Sequence, residues 1–179
     1  RTVTGVQTCA LPIYISSTKI REALLKGDVE KANKMLGYPY LITGAVESGN
    51  KIGREIGFPT ANIRPNDPLK LIPHEGVYAV VVNIDGVIKS GMLNIGFRPT
   101  IESSRRQTIE VNIFDFDQEI YNSGIEIAII KRLRNEKRFP SVEQLKQQLV
   151  KDKEMAIEAL KENESYTFQN LFLTLRTTK

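Results

Sequence analysis

The 179-residue chain has no tryptophan, one histidine and one cysteine. The lone thiol, Cys9, excludes a disulfide within the chain, and without a Cys/His cluster there is no zinc site of the usual ligand type. His74, between Pro73 and Glu75, is the only imidazole available as a base, and its setting reads as a loop. Long hydrophobic runs are also missing. The longest, residues 77–84 and 125–130, are strand-sized and too short for a helix that crosses a bilayer. The net charge of +4 is a small excess, and its lysines and arginines are dispersed along the chain. A nucleic-acid surface would need a concentrated basic groove with aromatic stacking platforms, so no nucleic-acid partner is expected. No membrane partner is expected either, and the cytoplasm is the default compartment.

What is present fits a globular protein. Apolar residues make up 41% and charged residues 26%, enough to bury a core in one domain with appendages. Residues 1–14 have no hydrophobic period and no sustained apolar segment; they read as a non-native leader outside the fold. Ser16, Ser17 and Thr18 offer N-caps to a helix with Ile20, Ala23 and Leu24 on one face, ended by Gly27. Asp28 then caps a second short helix through Val29, Ala32 and Leu36, stopped by Gly37 and Pro39.

From Tyr40 the period changes to two. Strands are expected over 40–46, 76–84, 87–95, 107–116 and 124–133. Asp85-Gly86 is a hairpin signal, since both positions of a tight primed turn need positive φ. Short strands in series without crossover helices point to a small antiparallel β-barrel. After Pro140 the helical period returns: Ser141 and Gln144 form a capping box, and Val142, Leu145, Leu149, Ala156 and Leu160 share a face. Residues 163–179, with Phe168, Leu171, Phe172 and Leu175, read equally as more helix or as a frayed tail.

Several segments carry candidate chemistry. Gly49, Gly53 and Gly57, spaced by four, let a backbone approach a ligand and aim N–H groups at an anion, with Lys51 and Arg54 adding charge. The loop is neither a Walker A motif nor a dinucleotide fingerprint, and glycines alone favour a plain flexible connection. Thr60-Ala61-Asn62 follows. In extended chain the hydroxyl and the amide point to one side, a hard-oxygen pair suited to magnesium beside phosphates, or equally a turn cap and a backbone partner. Pro59 stiffens the approach.

Alternation over 106–117 groups Ile109, Val111, Ile113 and Asp115 as a core face and sets Glu110, Asn112, Phe114 and Phe116 opposite. Glu110 there can act as a general base for an attacking hydroxyl, or be a solvated glutamate paired with Arg105 or Arg106. Asn94-Ile95-Gly96 and Pro99-Thr100 suggest the mouth of a pocket. Arg132 and Arg134, near Phe139, suit a clamp or stack on a planar ring, although taken alone both segments favour ordinary loop and helix-start chemistry.

Taken in order, these segments resemble the riboflavin kinase domain of bacterial bifunctional riboflavin kinase/FMN adenylyltransferases. The resemblance runs from about Tyr40 to Leu160. It rests on Gly44-Ala45-Val46, Gly49, Gly53-Arg54, Gly57 through Asn62, Gly76 through Val80, Asn94-Ile95-Gly96, Pro99-Thr100, Glu110-Val111, Asp115-Phe116 and Tyr121. Arg132-Leu133-Arg134, Glu136, Phe139, Gln148, Asp152 and Ala156 complete it. Asn112, where bacterial members often have histidine, is a departure, as are Ser48 and Arg98.

The resemblance implies a mainly β fold: a six-stranded antiparallel Greek-key barrel over 39–162, with a long C-terminal helix. It implies transfer of the ATP γ-phosphate to the ribityl 5′-hydroxyl of riboflavin, giving FMN and ADP, with Mg2+ as cofactor. Glu110 would be the catalytic base and Thr60 and Asn62 would serve the metal. Gly49, Gly53, Arg54, Asn94, Tyr121, Arg134 and Phe139 would complete the substrate contacts, with the isoalloxazine toward Arg134–Phe139 and the last helix. Residues 15–38 would be a helical remnant of the adenylyltransferase domain, since Ile15 through Arg21 resembles that domain's closing motif. That domain would be the partner in the full-length protein, so FAD formation is not expected from this chain alone. The alternative is a non-catalytic barrel that binds a flavin or a nucleic acid.

Overall fold

Local capping chemistry sets the helix starts. In the structure, a computed structural model, residues 15–47, 53, 56–99, 105–121 and 123–163 are described, with backbone only at 98, 99, 105 and 106. Helix α1 spans Ser17–Leu25, and the Ser16 hydroxyl accepts the Lys19 N–H at 3.3 Å. Helix α2 spans Val29–Leu36; the Asp28 carboxylate accepts the Lys31 N–H at 3.2 Å, and Gly37 ends the helix in the left-handed region at φ 80°. Helix α3 spans Val142–Glu162, and the Ser141 hydroxyl accepts the Gln144 N–H at 3.3 Å. The segment expected as a leader and the tail beyond residue 163 lie outside the described residues, as do Gly49, Lys51, Arg54 and Thr100.

Six strands follow α2: β1 Tyr40–Glu47, β2 Ala61–Pro65, β3 Gly76–Ile84, β4 Val87–Pro99, β5 Arg105–Ile113 and β6 Gly124–Arg134. They close into a barrel in the order β1-β2-β5-β4-β3-β6, with every neighbouring pair antiparallel. β3, β4 and β5 form a meander and β6 returns beside β3, which is a Greek key. The β3–β4 turn has Asp85 at φ 51° and Gly86 at φ 90°, as its two-residue length requires.

Strand alternation sorts side chains into two cores. Tyr78, Val80, Val82, Leu93, Ile95, Val111, Ile127 and Ile129 fill the barrel, and Ala23, Leu24, Val29, Ala32 and Met35 of α1 and α2 continue that cluster. Outside, Ala156, Ala159 and Leu160 of α3 pack on Val77, Ala79, Val81, Met92, Ala128 and Ile130. Alanines on both sides of this contact let helix and sheet approach closely. Buried Asn33 fixes α2 to the barrel: its amide donates to the Ile129 carbonyl at 2.9 Å and accepts the Tyr40 N–H at 2.8 Å.

Simple alternation fails in two places. β5 ends at Ile113, and the turn that follows holds Asp115 at φ 51°. Asp115 is therefore exposed rather than in the core face expected for it, and it pairs with Lys153 at 3.5 Å. Phe114 is buried under α3, while Phe116, expected on the same side, packs against the barrel interior. The second failure is the end of β6, which carries two bulges. Lys131 lies opposite Ala79 and Ile129 opposite Val80, so Ile130 is one extra residue; Arg134 lies opposite Val77 and Arg132 opposite Tyr78, so Leu133 is another.

Candidate functional site

The site is built on the outer face of β2, β5 and β4. Interior residues Ile63, Val111 and Leu93 send their strand neighbours outward, so Asn62, Glu110 and Asn94 share that face. Glu110 lies opposite Asn62 on one side and opposite Asn94 on the other. Cross-strand partners on one face have Cβ atoms about 4.5–5.5 Å apart, close enough for the carboxylate to work with either amide.

A cleft of about 260 Å³ opens over this row. Thr60, Asn94, Glu110, Arg134, Phe139 and Gly53, all expected from the sequence, line it. Its other wall is apolar: Ile56, Phe58, Val77 and Met92 below, with Leu145 and Leu149 of α3 above. A second cleft of about 480 Å³ adjoins it, lined by Tyr121, Phe116, Ala61, Asp117 and Glu119 among others, and Thr60 belongs to both. Tyr121 is thus separated from the Glu110 cleft by Thr60. Asn62 lines neither cleft but flanks Glu110 in register.

Three anchors hold the cleft. Gly53 accepts the Phe58 N–H at 2.8 Å, and a Cβ at Gly53 would collide with the Phe58 carbonyl, so the approach to Thr60 fits only glycine. Asn112, two residues after Glu110 and on the same face, is buried, and its amide donates to the Pro59 carbonyl at 2.6 Å. Arg134 makes a two-point ion pair with fully buried Asp152 of α3 at 2.8 and 2.7 Å, and Gln148 also donates to Asp152 at 2.9 Å. The Arg134 guanidinium carbon lies 5.7 Å from the centroid of the Phe139 ring.

Arg132 does not join Arg134 in the clamp expected from their spacing. The register shifts at Ile130 and Leu133 put the two on opposite faces, and Arg132 reaches the Lys26 carbonyl at 3.4 Å and His74 Nδ1 at 3.1 Å, over the Tyr78 ring. Glu136, at the rim, accepts the Phe97 N–H; burial, followed by repulsion from Glu75, raises its carboxyl above the ordinary range.

The donor set suits a hard cation bound chiefly through a ligand. Among the described residues no group of three His, Cys, Asp or Glu side chains could hold a metal. Thr60 and Asn62 instead supply one hydroxyl and one amide carbonyl beside Glu110, as suits an ion that keeps waters and phosphate oxygens in its shell. Of the functional residues, the sequence reading missed Asn112 and Asp152 as anchors and the apolar wall from Val77 and Met92.

Comparisons with known proteins show the family. The family model described as "Flavokinase: Riboflavin kinase" matches residues 36–160. A bifunctional riboflavin kinase/FMN adenylyltransferase from Bacillus subtilis is 48% identical over 145 residues, covering 80% of this chain and 46% of the relative. One of the same name from Haemophilus influenzae is 50% identical over 143 residues, covering 79% and 46%. The chain therefore spans about half the length of these curated relatives. A solved structure described as a macrolide-efflux protein from Streptococcus pneumoniae superposes with TM-score 0.75 at 42% identity, covering 79% of this chain and 46% of that one.

Proposed function

The chain belongs to the riboflavin kinase family, and from that membership we propose that it transfers the γ-phosphate of ATP to the ribityl 5′-hydroxyl of riboflavin, giving FMN and ADP. The observation that carries the proposal is that Glu110 and Thr60 line one cleft, with Asn62 directly across from the carboxylate. Phosphoryl transfer asks a protein mainly for positioning, charge stabilisation and a base near the attacking hydroxyl.

Each wall has a role in this reading. The apolar wall and Phe139, backed by the Arg134 guanidinium, receive the flat isoalloxazine. The adjoining cleft with Tyr121 receives the adenosine, so the triphosphate crosses at Thr60, the residue common to both. Glu110 accepts the 5′-hydroxyl proton as that oxygen bonds to the γ-phosphorus and the bond to the ADP oxygen breaks. Thr60 and Asn62 would hold Mg2+, which when bound neutralises charge on the β- and γ-phosphate oxygens. Gly49 and Arg54 complete the phosphate loop in this proposal, and Asn94 orients the Glu110 carboxylate from β4.

The relatives are bifunctional and about twice as long. We assign residues 15–38 to the end of an adenylyltransferase domain and 39–162 to the kinase that forms FMN. Among the described residues no helix is long and apolar enough to cross a membrane, and we place the enzyme in the cytoplasm.

The test is direct. Purified protein with riboflavin and Mg-ATP forms FMN, separable from riboflavin by chromatography with fluorescence detection. Glu110→Gln lowers kcat by about 10²–10⁴, the usual worth of a positioned general base, while riboflavin still binds. Full turnover in that variant would remove Glu110 from the mechanism.

A further inference from the structure

We propose that Asn112 is a positioning residue that holds the nucleotide side of the cleft in register with the Glu110 strand. The β2–β5 ladder consists of two residue pairs, Asn62 opposite Glu110 and Ala61 opposite Val111. The next pair would be Thr60 opposite Asn112, and β2 begins only at Ala61. In its place the Asn112 side chain donates to the Pro59 carbonyl at 2.6 Å. A side-chain bond extends the sheet by one rung where the backbone has left it.

The consequence falls on Thr60. The Pro59 carbonyl belongs to the planar peptide that leads into Thr60, so fixing that oxygen fixes the plane from which the Thr60 side chain departs. Thr60 and Pro59 are themselves exposed, so core packing does not hold them. Asn112 is 6% exposed and lines the same cleft, two residues along β5 from Glu110. One strand thus carries the base and, through Asn112, sets the distance to the hydroxyl across the cleft. The acceptor is a carbonyl, so the residue at 112 must be a donor. Loss of the bond leaves an exposed proline carbonyl that water can satisfy, so the fold survives and the nucleotide site loosens.

This inference rests on the reading that Thr60 serves the nucleotide, and the experiment separates the two. Mg-ATP affinity without riboflavin, and KM and kcat with it, are measured on the full chain for Thr60→Val, Asn112→Leu and Asn112→Asp. Asn112→Leu raises the Mg-ATP KM roughly tenfold, the worth of one well-made hydrogen bond, a larger change than in the riboflavin KM. Asn112→Asp adds a pH dependence. Protonated, the introduced carboxyl donates and Mg-ATP affinity approaches the parent's; as pH rises and it ionises, it faces the carbonyl with a charge and affinity falls. This second variant keeps the test open should Asn112→Leu not fold. Weaker Mg-ATP binding in Thr60→Val but parent-like KM in both Asn112 variants, with only a lower Tm, would overturn the inference alone. Parent-like binding in Thr60→Val would overturn the reading beneath it, and the inference with it.

Discussion

Removing the Arg134 side chain should cost more stability than removing the carboxylate it binds. Asp152 is fully buried, whereas the Arg134 side chain is 20% exposed. Asp152 accepts from Arg134 at 2.8 and 2.7 Å and from Gln148 at 2.9 Å, so Arg134→Met leaves a buried charge with one neutral donor. Stripping one partner from a buried pair costs about 3–5 kcal/mol. Asp152→Leu leaves a guanidinium that retains the Asn135 carbonyl at 2.9 Å and can extend to water. Its cost is that of unsatisfied donors, about 1–3 kcal/mol. The double substitution removes both charges and should return to within about 1 kcal/mol of the parent, as buried pairs often do when replaced by apolar residues. Urea unfolding of the four proteins at neutral pH gives the three differences.

An Arg134→Met cost below about 1 kcal/mol at neutral pH, or a double substitution no more stable than Arg134→Met alone, refutes the reasoning.

Two further outcomes follow from buried polar groups. Asn33→Leu leaves the Tyr40 N–H and the Ile129 carbonyl without their side-chain partner; two such losses cost about 2–4 kcal/mol, measured by chemical denaturation with α2 helicity followed by circular dichroism. Burial pushes the Tyr40 and Tyr78 hydroxyls from 10.0 up to about 12. A raised folded pKa gives stability that is complete below pH 10 and lost as pH rises through about 12. Tyrosinate absorbance should therefore show two of the six tyrosines titrating late, together with the loss of folded structure.

Features set by chemistry within three or four residues were legible in the sequence. Ser16, Asp28 and Ser141 each cap the helix expected of them, and the Asp85-Gly86 hairpin has the required positive φ. Strand β2 was not read as a strand, because its five residues include Arg64 and Pro65 and show no sustained alternation. Extrapolated alternation failed at Asp115 and Arg132, where a turn and a bulge reset it; the partner strand decides that, and no local residue signals it. The meeting of Thr60 with Glu110 was likewise beyond spacing. It depends on β2 pairing with β5 across the intervening β3–β4 hairpin, and the likeness to a family supplied what periodicity did not.

The Glu110 cleft lies outside because the barrel behind it is full: Tyr78, Leu93, Ile95, Ile127 and Ile129 are each essentially inaccessible. The adjoining cleft instead reaches interior residues Val46, Val111 and Ile113. A site on the outer face needs a roof, and α3 supplies it along one half of its length. Leu145, Leu149 and Asp152 face the cleft, whereas Ala156, Ala159 and Leu160 are buried against the sheet as core. Asp152 sits at the boundary and is tied to β6 through Arg134. The Leu133 bulge is what makes that tie possible: with the register already shifted at Ile130, alternation across Leu133 would send Arg134 to the same side as Arg132, away from α3. Two extra residues in one strand thus assign the two arginines separate tasks: Arg132 secures the α1 end of the molecule, and Arg134 secures the roof over the cleft.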